Sequence, residues 1–259
     1  GEGCSFQCAF CCIPQIRGAF RSRPLQSIIE ETRELARRGV REFNLVSQVT
    51  NLYGFDFKMK DGTIRLLDAL CEVEGADWLR LLYCYPSFVD ESLLSILAER
   101  EKICNYMDVP LQHVHQDILK AMKRPENEKD VRGMIERARK ICPEIALRTT
   151  FIVGFPGETE ETVEATREFI QNSALDYYFI QPFYYLHHTP VHKRAEEFGL
   201  SGEGLFWSHA TMNWKQAVSH INRLFLEIDG AVFVNPDYTL WELAYLRGKG
   251  MSLDEIRDY

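Results

Sequence analysis

Apolar residues in this chain alternate between helical spacing and short buried runs, and this alternation constrains the fold more than any other feature. Apolar positions recur at helical spacing over residues 25–38, and the pattern stops at Gly39, a residue type that commonly ends helices. The next apolar run, residues 43–47, is too short for a helix and is typical of a buried strand. The alternation continues to residue 184, with predicted helices at 64–73, 91–98, 128–141 and 159–171 and predicted strands at 78–83, 106–109, 145–153 and 177–184.

Strands separated by helices of this length form parallel sheets through right-handed crossovers. Functional loops in such folds follow the carboxyl ends of strands, so we expect a further strand just before the N-terminal loop, outside this sequence. After residue 185 helices are predicted at 191–198 and 213–226, and Ser252 and Glu255 form a capping box for a last helix. The sequence therefore predicts an α/β core over residues 1–190 and a small, mostly helical extension over residues 191–259.

The first twelve residues contain the densest group of cysteines. Cys4, Cys8 and Cys11 have the spacing C-x3-C-x2-C, and Cys12 follows directly. A structural zinc site normally takes four protein ligands, and adjacent cysteines rarely point both side chains at one metal. A disulfide framework is disfavoured because the chain is long enough to build its own core. We therefore favour an iron–sulfur cluster, in which three thiolates leave one iron open to a ligand, and keep zinc as the alternative.

Composition limits the partners and the setting of the chain. The net charge of -8 does not favour nucleic acid, and an acidic body suits a basic protein partner better. Apolar residues make up 46% of the sequence, but no run of them is long enough to span a membrane. No signal pattern is visible, and exposed cluster thiolates suit a reducing cytoplasm.

Five segments of the sequence resemble one known family. The cysteine motif, with Phe10 before its third cysteine, resembles the radical S-adenosylmethionine (SAM) superfamily, whose fold is a partial (β/α)6 barrel, here lacking its first strand. The similarity covers about residues 1–185 and is closest to the methylthiotransferases. SQ-x-T-x-x-YG and LLYCYP favour members that methylthiolate an aspartate of a ribosomal small-subunit protein over those that act on tRNA adenosine. The segments are EGCSFQCAFCCIPQIRGAFRSRP, LVSQVTNLYGFD, WLRLLYCYP, YMDVPLQHVHQDILKAMKRP and LRTTFIVGFPGETEE.

The resemblance implies a set of cofactors and partners. Cys4, Cys8 and Cys11 are expected to bind a 4Fe-4S cluster whose open iron takes SAM, with Phe10 beside the cofactors. Reduction by flavodoxin or ferredoxin then cleaves SAM to a 5′-deoxyadenosyl radical. Methylthiotransferases carry an upstream domain with a second iron–sulfur cluster, whereas HHTPVHKRAEEFGLSGEGLFWSHATMNWKQA resembles the tails of cobalamin-linked radical SAM proteins. A cobalamin-linked methyltransferase is therefore the alternative enzyme, and a non-catalytic metal-binding module is the second alternative.

Further residues are expected to contact SAM, each with a structural alternative. The family pattern assigns Gln48 and Gln112 to SAM, although both also fit ordinary strand-end amides. Arg148 lies in an otherwise apolar strand and needs an anion, which is either the SAM carboxylate or a structural acid. Gly154 is expected to let the backbone approach adenine closely, and Phe155 is expected to pack on the adenine. The alternative is that this segment is a simple turn.

The remaining cysteines, histidines and early arginines have simpler interpretations, and no catalytic side chain is assigned. Inert packing is expected of Cys71, Cys84, Cys104 and Cys142. Solvation is expected of Arg17, Arg21 and Arg23, with an acidic group on substrate or SAM as the alternative. Four histidines have a spacing that fits no standard metal site, and surface or core roles are expected of them: His187, His188, His192 and His209.

Overall fold

The computed structural model describes residues 1–234. The predicted capping box of Ser252 and Glu255, with the unit that starts at Pro236, lies outside the described residues. No helix in residues 1–234 is long and apolar enough to cross a membrane.

A parallel sheet forms the centre of the molecule, and its first five strands confirm the predicted ones in order. They are β1 (Glu42–Leu45), β2 (Trp78–Leu81), β3 (Ile103–Asp108), β4 (Ala146–Val153) and β5 (Tyr177–Pro182). Every neighbouring pair is parallel and lies in sequence order. All carboxyl ends of the strands therefore meet at one edge, as in the partial barrel that the sequence predicts.

Helices connect the strands and cover the sheet. The helices that precede residue 190 are α1 (Ile13–Arg17), α2 (Leu25–Arg37), α3 (Gly62–Cys71), α4 (Glu91–Glu99), α5 (Gln116–Ala121), α6 (Glu128–Ile141) and α7 (Glu160–Asn172). Two short 3₁₀ helices, Thr50–Leu52 and Pro86–Phe88, follow β1 and β2. Caps fix several helix starts: Asp90 accepts from the Leu93 N–H at 2.8 Å, and Thr159 forms a capping box for α7. Sequence periodicity missed α1 and α5 because each is too short to repeat a pattern.

The core lies between the sheet and its helices. Leu79 and Leu81 of β2, Leu67 of α3 and Leu94 of α4 are fully buried. Such aliphatic side chains contribute about 1.5–3 kcal/mol each when fully buried. Because β2 is an inner strand of the sheet, the packing of α3 and α4 against it holds the centre of the sheet in place.

The chain after residue 185 differs in part from its prediction. The helix predicted at 191–198 is a 3₁₀ helix, Pro190–Arg194, that continues into α8 (Ala195–Phe198), and the helix predicted at 213–226 is confirmed as α9 (Trp214–Glu227).

Three strands in this part were not predicted. An antiparallel hairpin joins β6 (Ser201–Glu203) to β7 (Phe206–Ser208). Strand β8 (Val232–Phe233) pairs in parallel with β5 and becomes the sixth strand of the central sheet. The division of the chain at residue 190 stays a prediction.

Candidate functional site

A cavity of about 570 Å³ opens at the carboxyl ends of the strands, under the cysteine loop. Residues of the first five strands, or of the loops just after them, line it: Gln48 after β1, Tyr83 after β2, Gln112 after β3, Thr150 of β4 and Gln181 of β5. The lining thus follows from the parallel topology, because only that arrangement brings these loops to one edge.

Backbone hydrogen bonds from distant elements hold the cysteine loop over this cavity. The Ala9 N–H donates to the Met122 carbonyl just after α5, and the Ala9 carbonyl accepts from the Val191 N–H, both at 2.8 Å. The Cys4 N–H donates to the Gly18 carbonyl at 3.0 Å. Residues about 110 and 180 positions away therefore position the loop, which local sequence patterns cannot predict.

The structure brings together the three cysteines of the motif. Cys4, Cys8 and Cys11 line the cavity with Phe10, and all eight cysteines of the chain are free thiols. Burial raises the pKa of the Cys8 and Cys11 thiols, so metal binding must displace these protons.

The donor set fits a multi-iron cluster better than a single ion. Within residues 1–234, no three His, Cys, Asp or Glu side chains are arranged to hold a metal ion. A zinc ion needs its ligands to converge on one point, whereas in a cluster each thiolate binds a different iron. Three free thiols around one cavity therefore suit a cluster.

Three residues that line the cavity also carry a buried polar atom without a hydrogen-bond partner among residues 1–234. Ser47 Oγ, Tyr85 OH and Gln112 Oε1 are buried without a hydrogen-bond partner in the described part of the chain, and all three residues line the cavity. Buried polar atoms are normally paired, so these three indicate a polar ligand. Gln112 is also held in the left-handed region at φ 73°, and its carbonyl accepts from the Ile152 N–H at 2.8 Å. Such a conformation persists only where the surroundings enforce it.

Arg148 has a structural acid as its anion. Its Nη1 lies 3.1 Å from Asp108 Oδ1, and Asp108 is only 1% exposed. Burial raises the pKa of the Asp108 carboxyl, and the Arg148 guanidinium opposes this shift. Arg148 also lines the cavity, so the pair stands at the edge of the site.

Gly154 and Phe155 are not among the residues that line the cavity, and their place beside adenine stays a prediction. Phe155 is fully buried and lies 5.5 Å from the ring of Phe183. Gly154 has φ +92°, and a Cβ there would lie 2.3 Å from Trp207 and 2.9 Å from Ala217. The absence of a side chain at Gly154 therefore makes room for the chain after residue 200.

Buried polar contacts surround the same glycine. His113 Nε2 donates to Glu158 Oε1 at 2.8 Å, since His113 Nδ1 accepts from the His115 N–H. Glu158 also accepts from the Gly154 N–H, and His209 Nε2 donates to the Gly154 carbonyl at 3.2 Å. Burial lowers the pKa of His209. His209 thus has a packing role.

Two other residue groups make contacts within the protein. His192 Nδ1 lies 2.7 Å from Tyr185 OH, and His187 stacks on His192. Arg21 pairs with exposed Glu2 on the surface.

Sequence reasoning missed several lining residues. Tyr83, Tyr85, Cys84, Arg124 and Gln181 all face the cavity. Four of them lie in segments that carry the family resemblance. Position after a strand was a further signal for Tyr83, but Arg124 lacks it because it follows α5.

A parallel α/β sheet that gathers three free thiols at one cavity, beside residues with polar atoms unpartnered in the described chain, fits the class of iron–sulfur enzymes that bind a polar cofactor. The family model of the Radical SAM superfamily matches residues 1–170. The chain belongs to the radical SAM superfamily, which uses a 4Fe-4S cluster and SAM.

Curated relatives are methylthiotransferases. The ribosomal protein uS12 methylthiotransferase RimO of Pelobacter propionicus is 44% identical over 178 residues, which make up 68% of this chain and 39% of that relative. RimO of Alkaliphilus oremlandii is 39% identical over 197 residues, covering 76% of this chain and 45% of that relative. The chain thus spans less than half the length of these relatives.

Solved structures share the fold. The radical SAM methyltransferase TsrM of Kitasatospora setae, with cobalamin and a 4Fe-4S cluster bound, superposes with a TM-score of 0.71 at 20% identity, over 97% of this chain and 56% of that one. Streptococcus suis SuiB superposes with a TM-score of 0.58 at 14% identity, over 98% of this chain and 52% of that one. At these identities the likeness concerns the fold alone.

Proposed function

We propose that this chain is the radical-generating part of a methylthiotransferase, and that Cys4, Cys8 and Cys11 hold its 4Fe-4S cluster. The observation that carries the proposal is one cavity lined by three cysteines with free thiols and by three residues with buried polar atoms that are unpartnered within residues 1–234. Cys4, Cys8 and Cys11 would hold the cluster, and the cluster would supply the electron for the reductive cleavage of SAM.

The protein side chains bind and orient SAM. Gln48 and Gln112 supply amide groups from the ends of β1 and β3, and Phe10 offers an apolar surface beside the third cysteine. Arg148 is held by Asp108 and presents a positive edge to the SAM carboxylate. Fixed groups of this kind lower the cost of orientation and exclude water from the radical.

We propose an aspartate of ribosomal protein uS12 as the substrate. Support comes from identities of 39% and 44% to enzymes named for that protein. The net charge of -8 suits a basic ribosomal protein. A flavodoxin or ferredoxin of the cytoplasm would supply the electron.

A second candidate is a cobalamin-linked methyltransferase. The sequence of residues 187–217 resembles the tails of such proteins, and this part contacts the core through the Trp207 Nε1–H, which donates to the Phe183 carbonyl at 2.7 Å. The observation concerns only the tail, so this candidate ranks below the first.

Product analysis separates the candidates. The longest natural chain that contains this sequence is reconstituted anaerobically, reduced, and incubated with SAM and a uS12 peptide containing the aspartate or, as control, asparagine. A methylthio group on the aspartate peptide alone supports the first candidate. A methyl group that depends on added cobalamin supports the second. Zinc bound in place of iron would contradict both.

A further inference from the structure

A buried ion pair lies beside the cysteine loop and has no part in the function proposed above. Arg124 Nε is 3.2 Å from Glu126 Oε2, and the two side chains are only 5% and 4% exposed. Arg124 Nη2 donates to the Pro110 carbonyl at 3.0 Å, and its guanidinium lies 4.2 Å from the centre of the Tyr85 ring. Ser87 Oγ donates to Glu126 Oε1 at 2.6 Å. Arg124 Nε and Glu126 Oε2 make no hydrogen bond in the described part of the chain, so the bonds to Pro110 and Ser87 are the ones that position the two side chains.

The two residues of the ion pair line different cavities. Arg124 lines the cavity together with the three cysteines of the motif, whereas Glu126 lines a different cavity, of about 310 Å³, with Ser87. Arg124 therefore lies at the cavity of the thiols, and Glu126 lies at the neighbouring cavity. The charged residues that line the first cavity are Arg124 and Arg148, and no carboxylate lines it within residues 1–234.

The position of Arg124 is tied to the cysteine loop. Met122, two residues earlier, accepts the hydrogen bond from Ala9 in the centre of that loop. The short segment between α5 and Pro125 thus anchors the loop and supplies the cation.

Stability does not explain this arrangement. The desolvation cost of a buried ion pair offsets much of its attraction, and apolar replacements of such pairs are often neutral. A fixed cation beside cluster thiolates has a definite electrostatic effect, because reduction adds one negative charge to the cluster. Net charge and contacts to the sulfurs are among the properties that set cluster potentials.

We propose that Arg124 is a positioning residue that raises the reduction potential of the cluster, and that Glu126 holds its guanidinium toward Cys8. The step concerned is the uptake of one electron from an external low-potential protein donor, with no bond made or broken. The inference rests on the proposed function, since it requires the cluster.

The test is a redox titration of the reconstituted, full chain without SAM, followed by electron paramagnetic resonance. Arg124→Gln should make reduction at least tenfold less favourable, which is about 59 mV lower for a one-electron couple. Arg124→Lys keeps the charge and should restore part of the shift. Glu126→Gln removes the opposing charge and should shift the potential upward. Arg33→Gln, an exposed site on α2, is the control and should leave the potential unchanged.

The outcomes separate this inference from the proposed function. If the unmodified chain binds no cluster, the proposed function fails. If the chain and Arg124→Gln both load about four irons, as expected for this cluster type, and share one potential, only the role of Arg124 is refuted. A purely structural effect would move Arg124→Gln and Glu126→Gln in the same direction. If Arg124→Gln does not fold, Glu126→Gln decides: an upward shift supports the proposal, and an unchanged or lower potential overturns it.

Discussion

Replacing Gly154 with alanine tests the packing of the C-terminal part against the core. Gly154 has φ +92°, and the added Cβ would lie 2.3 Å from Trp207 Cη2 and 2.9 Å from Ala217 Cβ. Holding an L residue in this backbone region costs about 1–3 kcal/mol. Forcing a methyl group into a packed site adds about 1–3 kcal/mol. Gly154→Ala should therefore lower the free energy of unfolding by about 2–6 kcal/mol.

Gly157 offers a matched control because its backbone is similar and its surroundings are open. It has φ +96°, and its added Cβ would meet nothing closer than 3.7 Å. Gly157→Ala should show the backbone cost alone, about 1–3 kcal/mol.

Thermal unfolding of both reconstituted variants, followed by far-UV circular dichroism, measures the difference. Each kcal/mol corresponds to about 2–4 °C in Tm for a chain of this size. Combining Gly154→Ala with Trp207→Leu should recover part of the loss. Equal Tm values for the two alanine variants would refute the packing role of Gly154.

Three further predictions concern single side chains. Cys8→Ala should lose the cluster while Cys142→Ala keeps it and costs about 1 kcal/mol, as measured by iron content and unfolding; equal iron loss would contradict the ligand assignment. Arg148→Met should destabilise the fold by about 3–5 kcal/mol in denaturant titrations, because it leaves the Asp108 carboxylate buried alone; a loss under 1 kcal/mol would show that the pair is dispensable. Burial lowers the pKa of His209, so the unfolded chain binds a proton more readily than the folded chain, and the free energy of unfolding should fall as the pH drops below about 6.5. His209→Gln should flatten this fall, and an unchanged slope would argue against a contribution from His209.

The sequence predicted the features of the fold that arise from local periodicity. Five strands and their order were confirmed, and the helix predicted at 128–141 has these bounds in the structure. Strand β8, of two residues, was missed because its pairing with β5 depends on a partner about 55 positions away. The β6–β7 hairpin was also missed, since its strands have three residues each and the sequence there is rich in glycine.

The candidate site could be predicted only in part, for a similar reason. Cysteine spacing and strand ends identified Cys8, Gln48 and Gln112, which all line the cavity. For Gly154 the sequence could not predict the close approach of Trp207, because a glycine before a turn carries no information about which group packs against it. Arg124 was missed because only tertiary structure brings the end of α5 beside the cysteine loop.

The release of 5′-deoxyadenosine from SAM tests the central claim most directly. The cluster is reconstituted anaerobically in this chain, reduced with dithionite, and mixed with SAM, and the products are separated by liquid chromatography with mass detection. We expect 5′-deoxyadenosine and methionine in equal amounts, no product from Cys8→Ala, and unchanged release from Cys142→Ala. An intact, reduced 4Fe-4S cluster that yields no 5′-deoxyadenosine would contradict the radical mechanism.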